Sequence, residues 1–128
     1  MKKPWKIIKD SKIESKDKVL RLKNPFKKKS AAKKIVRILK GTELMKRVEE
    51  MIWKPAGRAH AMKALKNNII PEDWKNYYLL FPGTIWEDEN GDLHIMALYW
   101  DGRKWNRIFE WVEDEFLDHC RIVVTSRW

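Results

Sequence analysis

At Pro82-Gly83 the hydrophobic pattern of the chain changes period, and this change limits the folds open to it. Beyond Gly83 the period is two, the repeat of a strand with one face buried. Residues 84–87, 93–100 and 103–111 read as three strands of an antiparallel meander. Asn90-Gly91 predicts a type I′ hairpin turn, and Asp101-Gly102 a second tight turn. In 103–111, Trp105, Arg107, Phe109 and Trp111 share one face and Asn106, Ile108 and Glu110 the other. The acidic stretch 112–119 reads as a loop or helical turn, and the β-branched run 121–125 as a fourth strand closing the sheet.

Before Pro82 the spacing is helical. Ser30 as a cap, Ile35, Ile38 and Leu39 at i, i+3, i+4, and Gly41 as a stop predict a helix over 31–40. Leu44, Val48, Met51 and Ile52 form the stripe of a second helix after Thr42, ended by Lys54-Pro55-Ala56-Gly57. A third is expected over 58–66. A short aromatic helix follows from Pro71, with Trp74, Tyr77, Tyr78 and Phe81 at i, i+3, i+4, i+7. The expected fold class is α+β: a basic N-terminal arm over 1–29, ordered in part, then one small domain over 30–128. Within that domain about four short helices occupy 30–82, and a small antiparallel β-meander of three to four strands occupies 83–128.

Charge follows the same division. Residues 1–66 hold 22 basic and 6 acidic side chains, a net of +16, whereas residues 67–128 hold 6 and 12, a net of −6. The first 40 residues alone carry +13. One half attracts polyanions and the other repels them. No apolar stretch approaches the roughly 18 residues of a membrane span. The N-terminus lacks an apolar run and a small-residue cleavage site, so no secretory signal is read there. Cys120 is the only cysteine, which excludes an intrachain disulfide and fits a reducing, cytoplasmic setting. The expected partners exclude a membrane.

Motifs for chemistry are thin. Asp88-Glu89-Asn90-Gly91-Asp92 faintly matches a calcium loop, but with Gly91 at loop position six the first and last ligand positions fall on Trp86 and Ala97. Asp118, His119 and Cys120 are adjacent, point in different directions and have no spaced partner to complete a tetrahedral set. Asp73-Trp74-Lys75 matches an acid-x-Lys fragment of nuclease sites, but no Pro-Asp precedes it at suitable spacing, and Pro71-Glu72-Asp73 reads more simply as the negatively charged first turn of a helix. Glu113, Asp114, Glu115 and Asp118 read as a solvated surface, His60 as a helix-surface residue and His94 as a strand residue. No Gly-rich phosphate loop is present. The expectation is a protein with no catalytic residues, no metal site and no cofactor.

The basic constellation is stronger. Lys23, Lys27, Lys28, Lys29, Lys33, Lys34, Arg37 and Lys40 lie close together, with Phe26 inside the run and Trp5 upstream. Lysines that neutralise phosphates release counterions, which gives affinity without base reading. Phe26 and Trp5 are the candidate stacking residues, which favours RNA or single-stranded nucleic acid. A solubilising or anionic-membrane-binding tail, or a nuclear-import signal, has the same composition. The expected function is non-catalytic nucleic-acid binding through the Lys-rich half, within a ribonucleoprotein complex. The alternative is a protein-interaction module, such as a phage or mobile-element inhibitor or accessory factor, working through the aromatic, acidic C-terminal sheet.

Five of the eight tryptophans, Trp86, Trp100, Trp105, Trp111 and Trp128, follow Gly83, where large rings give a small sheet enough core. The segment Leu98-Tyr99-Trp100-Asp101-Gly102-Arg103-Lys104-Trp105-Asn106-Arg107, followed by Phe109, Trp111, Asp114, Phe116, Arg121 and Val124, carries a resemblance. Residues 98–127 resemble the Trp-rich terminal segment of small uncharacterised proteins, some encoded near diversity-generating retroelements. The Asn-rich runs typical of those segments are absent. The resemblance implies a protein-binding or ligand-display surface and no catalytic residue.

Overall fold

A computed structural model describes residues 5–26 and 37–128. Its strands are β1 (Lys6–Lys9), β2 (Arg21–Lys23), β3 (Ile38–Lys40), β4 (Trp53–Pro55), β5 (Tyr78–Glu87), β6 (Leu93–Trp100), β7 (Trp105–Trp111), β8 (Glu115–Leu117) and β9 (Cys120–Arg127). Two α-helices, α1 (Gly41–Glu49) and α2 (Arg58–Lys66), and a 3-10 turn over Glu72–Asn76 complete the described elements. Seven strands form one mixed sheet whose main order is β2-β9-β5-β6-β7, while β3 and β8 pair separately. The expectation of four helices ahead of a small meander is therefore corrected to a mostly β fold.

Each helix that was not found has a physical reason. Only the end of the stretch 31–40 lies within the described residues, and there Ile38–Lys40 is a strand. Leu39 points into the core while Ile38 and Lys40 face out, a period of two hidden among three residues that also fit a helix. The second helix stops at Glu49, because Trp53 and Pro55 pair with Arg127 and Val124 of β9. The aromatic helix is reduced to the 3-10 turn, and Tyr78 opens β5 instead. Leu79 and Phe81 enter one side of the sheet and Leu80 the other, since both faces are covered. A doubly buried strand reads as an unbroken apolar run, which periodicity cannot distinguish from a helix. The third helix is found over 58–66 as expected.

The segment read as a basic arm is built into the sheet. Lys6 and Ile7 pair with Glu87 and Trp86, and Arg21–Lys23 pairs along Ile122–Val124. Its apolar residues were too scattered to show a period, because only two short stretches of it make ladders. The meander β5-β6-β7 is present, with Leu79↔Leu98 and Met96↔Phe109 among its pairs. The hairpin at Asn90-Gly91 forms, but with a different turn. Gly91 has φ +83° and Asn90 does not share the left-handed region, and the Gly91 N–H donates to Asp88 O at 3.1 Å. This is a type I turn closed by a left-handed glycine, whereas type I′ needs two positive φ angles. The acidic stretch contains the short strand β8.

Both sheet faces are packed. On one side Leu80, Ile95, Ile122 and Val124 meet Leu44 and Val48 of α1, Leu39 of β3 and Phe116 of β8. On the other Leu79, Phe81, Met96 and Val123 meet Ala61 of α2, with Trp74 and Trp105 at the margin. Strand β5 changes neighbour along its length: Tyr78–Leu80 pairs in parallel with β9, and the far end pairs with β1. In the opening the chain after β4 crosses, with Ala56 N–H donating to Val123 O and Gly83 N–H donating to Ala56 O, each at 2.9 Å. Gly83 makes that crossing possible, since a Cβ there would lie 2.5 Å from Pro55 O.

Candidate nucleic-acid interface

Alternation along β2 puts Arg21 and Lys23 on one face, and the antiparallel ladder with β9 brings them towards β4. Trp53 pairs with Arg127 across the β4–β9 ladder. Three cations consequently converge on one indole: Lys23 Nζ lies 4.4 Å from the Trp53 ring centroid, Arg21 Cζ 5.3 Å and Arg127 Cζ 5.4 Å. Such approaches are favourable because the ring face carries the negative part of the aromatic quadrupole. None of the three cations makes an ion pair among the described residues.

Trp53 and Lys23 also line a groove of about 580 Å³, which α1 closes with Lys46 and Arg47. The groove is not uniformly basic. Glu43 and Glu50 lie on its wall, and Arg47 is held by Glu43 Oε1 at 3.1 Å and by the Pro25 carbonyl. Asn24 and Pro25 form its lip, where Asn24 Oδ1 accepts the Phe26 N–H at 2.9 Å. In sequence the lysine run begins at Lys27, two residues past this lip.

The expected site residues separate into four groups. Lys23 is in the groove. Arg37 and Lys40 are exposed beside β3. Lys27, Lys28, Lys29, Lys33 and Lys34 lie outside the described residues. Of the two aromatics one is corrected: Phe26 is 1% exposed and is a core residue, so its ring has no free face for a base. Trp5 sits across the sheet, stacked on His94 at 4.2 Å and edge-on to Phe109 at 5.4 Å.

No protein-family model matches the chain, and comparison with curated proteins and with solved structures gave no match. The site therefore rests on its own geometry. Sequence reasoning missed Arg21, Arg127, Lys46 and Trp53. The alternation of Arg21 with Lys23 in a short strand was a usable signal for the first, but Trp53 was hidden inside an expected helix end.

A second polar cluster fills the opening between β5 and β9. Asp17 accepts hydrogen bonds from Lys54 Nζ at 2.8 Å, Glu14 N–H at 2.9 Å, His60 Nε2 at 3.1 Å, Thr125 Oγ1 at 2.9 Å and Ser126 Oγ at 3.0 Å. Burial raises its pKa, but the donors, led by Lys54 and the Glu14 backbone, outweigh burial and hold the carboxyl far below the usual range. His60, expected on the helix surface, is buried, and its Nδ1 accepts the Gly57 N–H at 3.0 Å. Both ring nitrogens are engaged, so the ring is a positioning element and not a free base. Nearby, Asp10 accepts from Thr84 Oγ1 at 2.7 Å and Arg58 Nη2 at 3.1 Å. Burial opposes ionisation of Asp10 too, and Thr84 and Arg58 prevail in lowering its pKa. This cluster fastens the 10–17 loop to the sheet.

The acidic residues Glu113, Asp114, Glu115 and Asp118 are exposed, and the described residues contain no His, Cys, Asp or Glu group arranged to hold a metal ion. No helix among the described residues is long and apolar enough to cross a membrane.

Proposed function

We propose that the protein binds nucleic acid, RNA or a single strand, by gripping phosphates along the groove between β2, β4 and α1 and with the lysine run that follows β2 in sequence. The observation that carries this reading is the convergence of Arg21, Lys23 and Arg127, unpaired with any carboxylate among the described residues, around Trp53. Cations that converge without ion pairs repel one another, and a phosphate relieves that repulsion while releasing its own counterions. Lysine predominates over arginine in residues 1–40, and a compact ammonium reads bases less well than a planar guanidinium does. The grip therefore follows the backbone and not the base sequence.

The test is binding of a fluorescently labelled single-stranded RNA, followed by anisotropy over a range of salt concentrations. Replacing Arg21, Lys23 and Arg127 together by Ala lowers affinity for all sequences alike. Each lost phosphate contact flattens the slope of log K against log salt by about 0.7. A folded triple variant with unchanged affinity and slope refutes the groove. An unchanged slope after replacing Lys27, Lys28, Lys29, Lys33 and Lys34 by Ala refutes the run.

A further inference from the structure

The two outer strands of the main sheet are defended differently. Strand β2 is three residues long and carries Arg21 and Lys23, which keep its free edge from pairing with another strand. Strand β7 is seven residues long, and among the described residues no strand pairs with its side away from β6. Its outward residues include Phe109, 40% exposed, and Trp111, 57% exposed. The Val112 N–H donates to Leu93 O of β6 at 2.9 Å. Alternation of the ladder then turns the backbone N–H and C=O groups of Trp105, Arg107, Phe109 and Trp111 away from β6, towards the open side. The Trp111 carbonyl also accepts the Asp114 N–H at 3.1 Å, and the rest of this row, unpaired among the described residues, is a template for another strand.

We propose that β7 pairs antiparallel with β7 of a second copy of this chain, in the register whose two-fold axis passes through Ile108. The sequence of the strand is complementary to itself in that register. Trp105 lies opposite Trp111 and Arg107 opposite Phe109, each twice by symmetry, so every outward backbone group from Trp105 to Trp111 finds a partner. Aromatic pairs and a cation over an aromatic face are favourable cross-strand neighbours. Arg107 is available for this contact, since its only polar neighbour among the described residues is Met62 Sδ at 3.5 Å. A two-fold axis through Phe109 is poorer, because it leaves Trp105 beyond the end of the paired strand.

The experiment is the solution mass of the full chain by light scattering. The wild type elutes at about twice the 15.5 kDa chain mass in the micromolar range. Phe109→Lys sets a lysine against Arg107 of the other copy and returns the mass to that of one chain. Adding Arg107→Glu to Phe109→Lys creates two opposite-charge pairs across the axis and restores the dimer. Thermal melts establish that each variant is folded. Ile108→Cys, made in an otherwise unchanged chain, gives a disulfide-linked dimer on a non-reducing gel, because residues facing one another at a non-hydrogen-bonded position on the axis bring their Cβ atoms together. A wild type of single-chain mass overturns the proposal. A dimer indifferent to Phe109→Lys, a folded double variant that stays single, or an Ile108→Cys variant that does not cross-link overturns it equally.

Discussion

Lys54 and Asp17, 37 residues apart in sequence, meet at 2.8 Å with side chains 5% and 0% exposed. The pair ties the loop after β1 to β4, where the chain crosses between β5 and β9. Two charges removed from water stabilise a fold little in themselves, but removing one partner strands the other. Lys54→Met leaves Asp17 with its remaining donors and no cation, at a cost of about 3–5 kcal/mol. Urea denaturation monitored by tryptophan fluorescence measures it. A loss below about 0.5 kcal/mol, the range of surface substitutions, contradicts the buried pair.

Asp17 also gives the fold an acid sensitivity. Its pKa is lower in the folded chain than in the unfolded one, so its contribution is fully present above the ordinary carboxylate pKa of about 3.9 and drains away as pH falls below that value. The wild type loses stability from about pH 4 towards about pH 2, and Asp17→Asn, though less stable at neutral pH, has a shallower dependence there. Equal slopes for the two proteins would assign acid lability to other carboxylates.

Cys120 is 4% exposed, and burial together with Glu110 pushes its thiol pKa up to about 12. A thiol so placed holds almost no thiolate at neutral pH and is a poor nucleophile. The native protein reacts with an aromatic disulfide reagent only at the rate of unfolding, and the reaction becomes immediate in urea. Rapid modification of the native chain would show that the end of β9 opens readily.

Gly83→Ala tests the crossing. A methyl group 2.5 Å from Pro55 O forces β4 and β5 apart, and overpacking of this kind costs about 1–3 kcal/mol. The melting temperature falls, with the far-UV spectrum of the folded state retained. An unaffected melting temperature means the crossing yields at no cost.

Helix α2 and strand β6 were legible at their observed bounds, because in each the apolar period and the terminating residues agree. The third strand was legible too, starting at Trp105 where Arg103 was expected. Tyr78–Phe81 was not, since its apolar run serves two buried faces. Strands β1 and β2 were hidden for a different reason: three or four residues hold too little pattern, and the ladders that order them lie far along the chain. The same non-locality concealed the candidate site. Lys23 was within reach of charge counting, but Trp53 and Arg127 join it only through strand pairing.

Strand β9, the one furthest along the chain, lies inside the main sheet between β2 and β5. A ribosome delivers Lys23 and Leu80 long before it delivers Ile122, which pairs with both. During that interval β2 has no ladder to join. The sheet is therefore completed after synthesis of β9 and not progressively, and folding is governed by the closure of its longest loops.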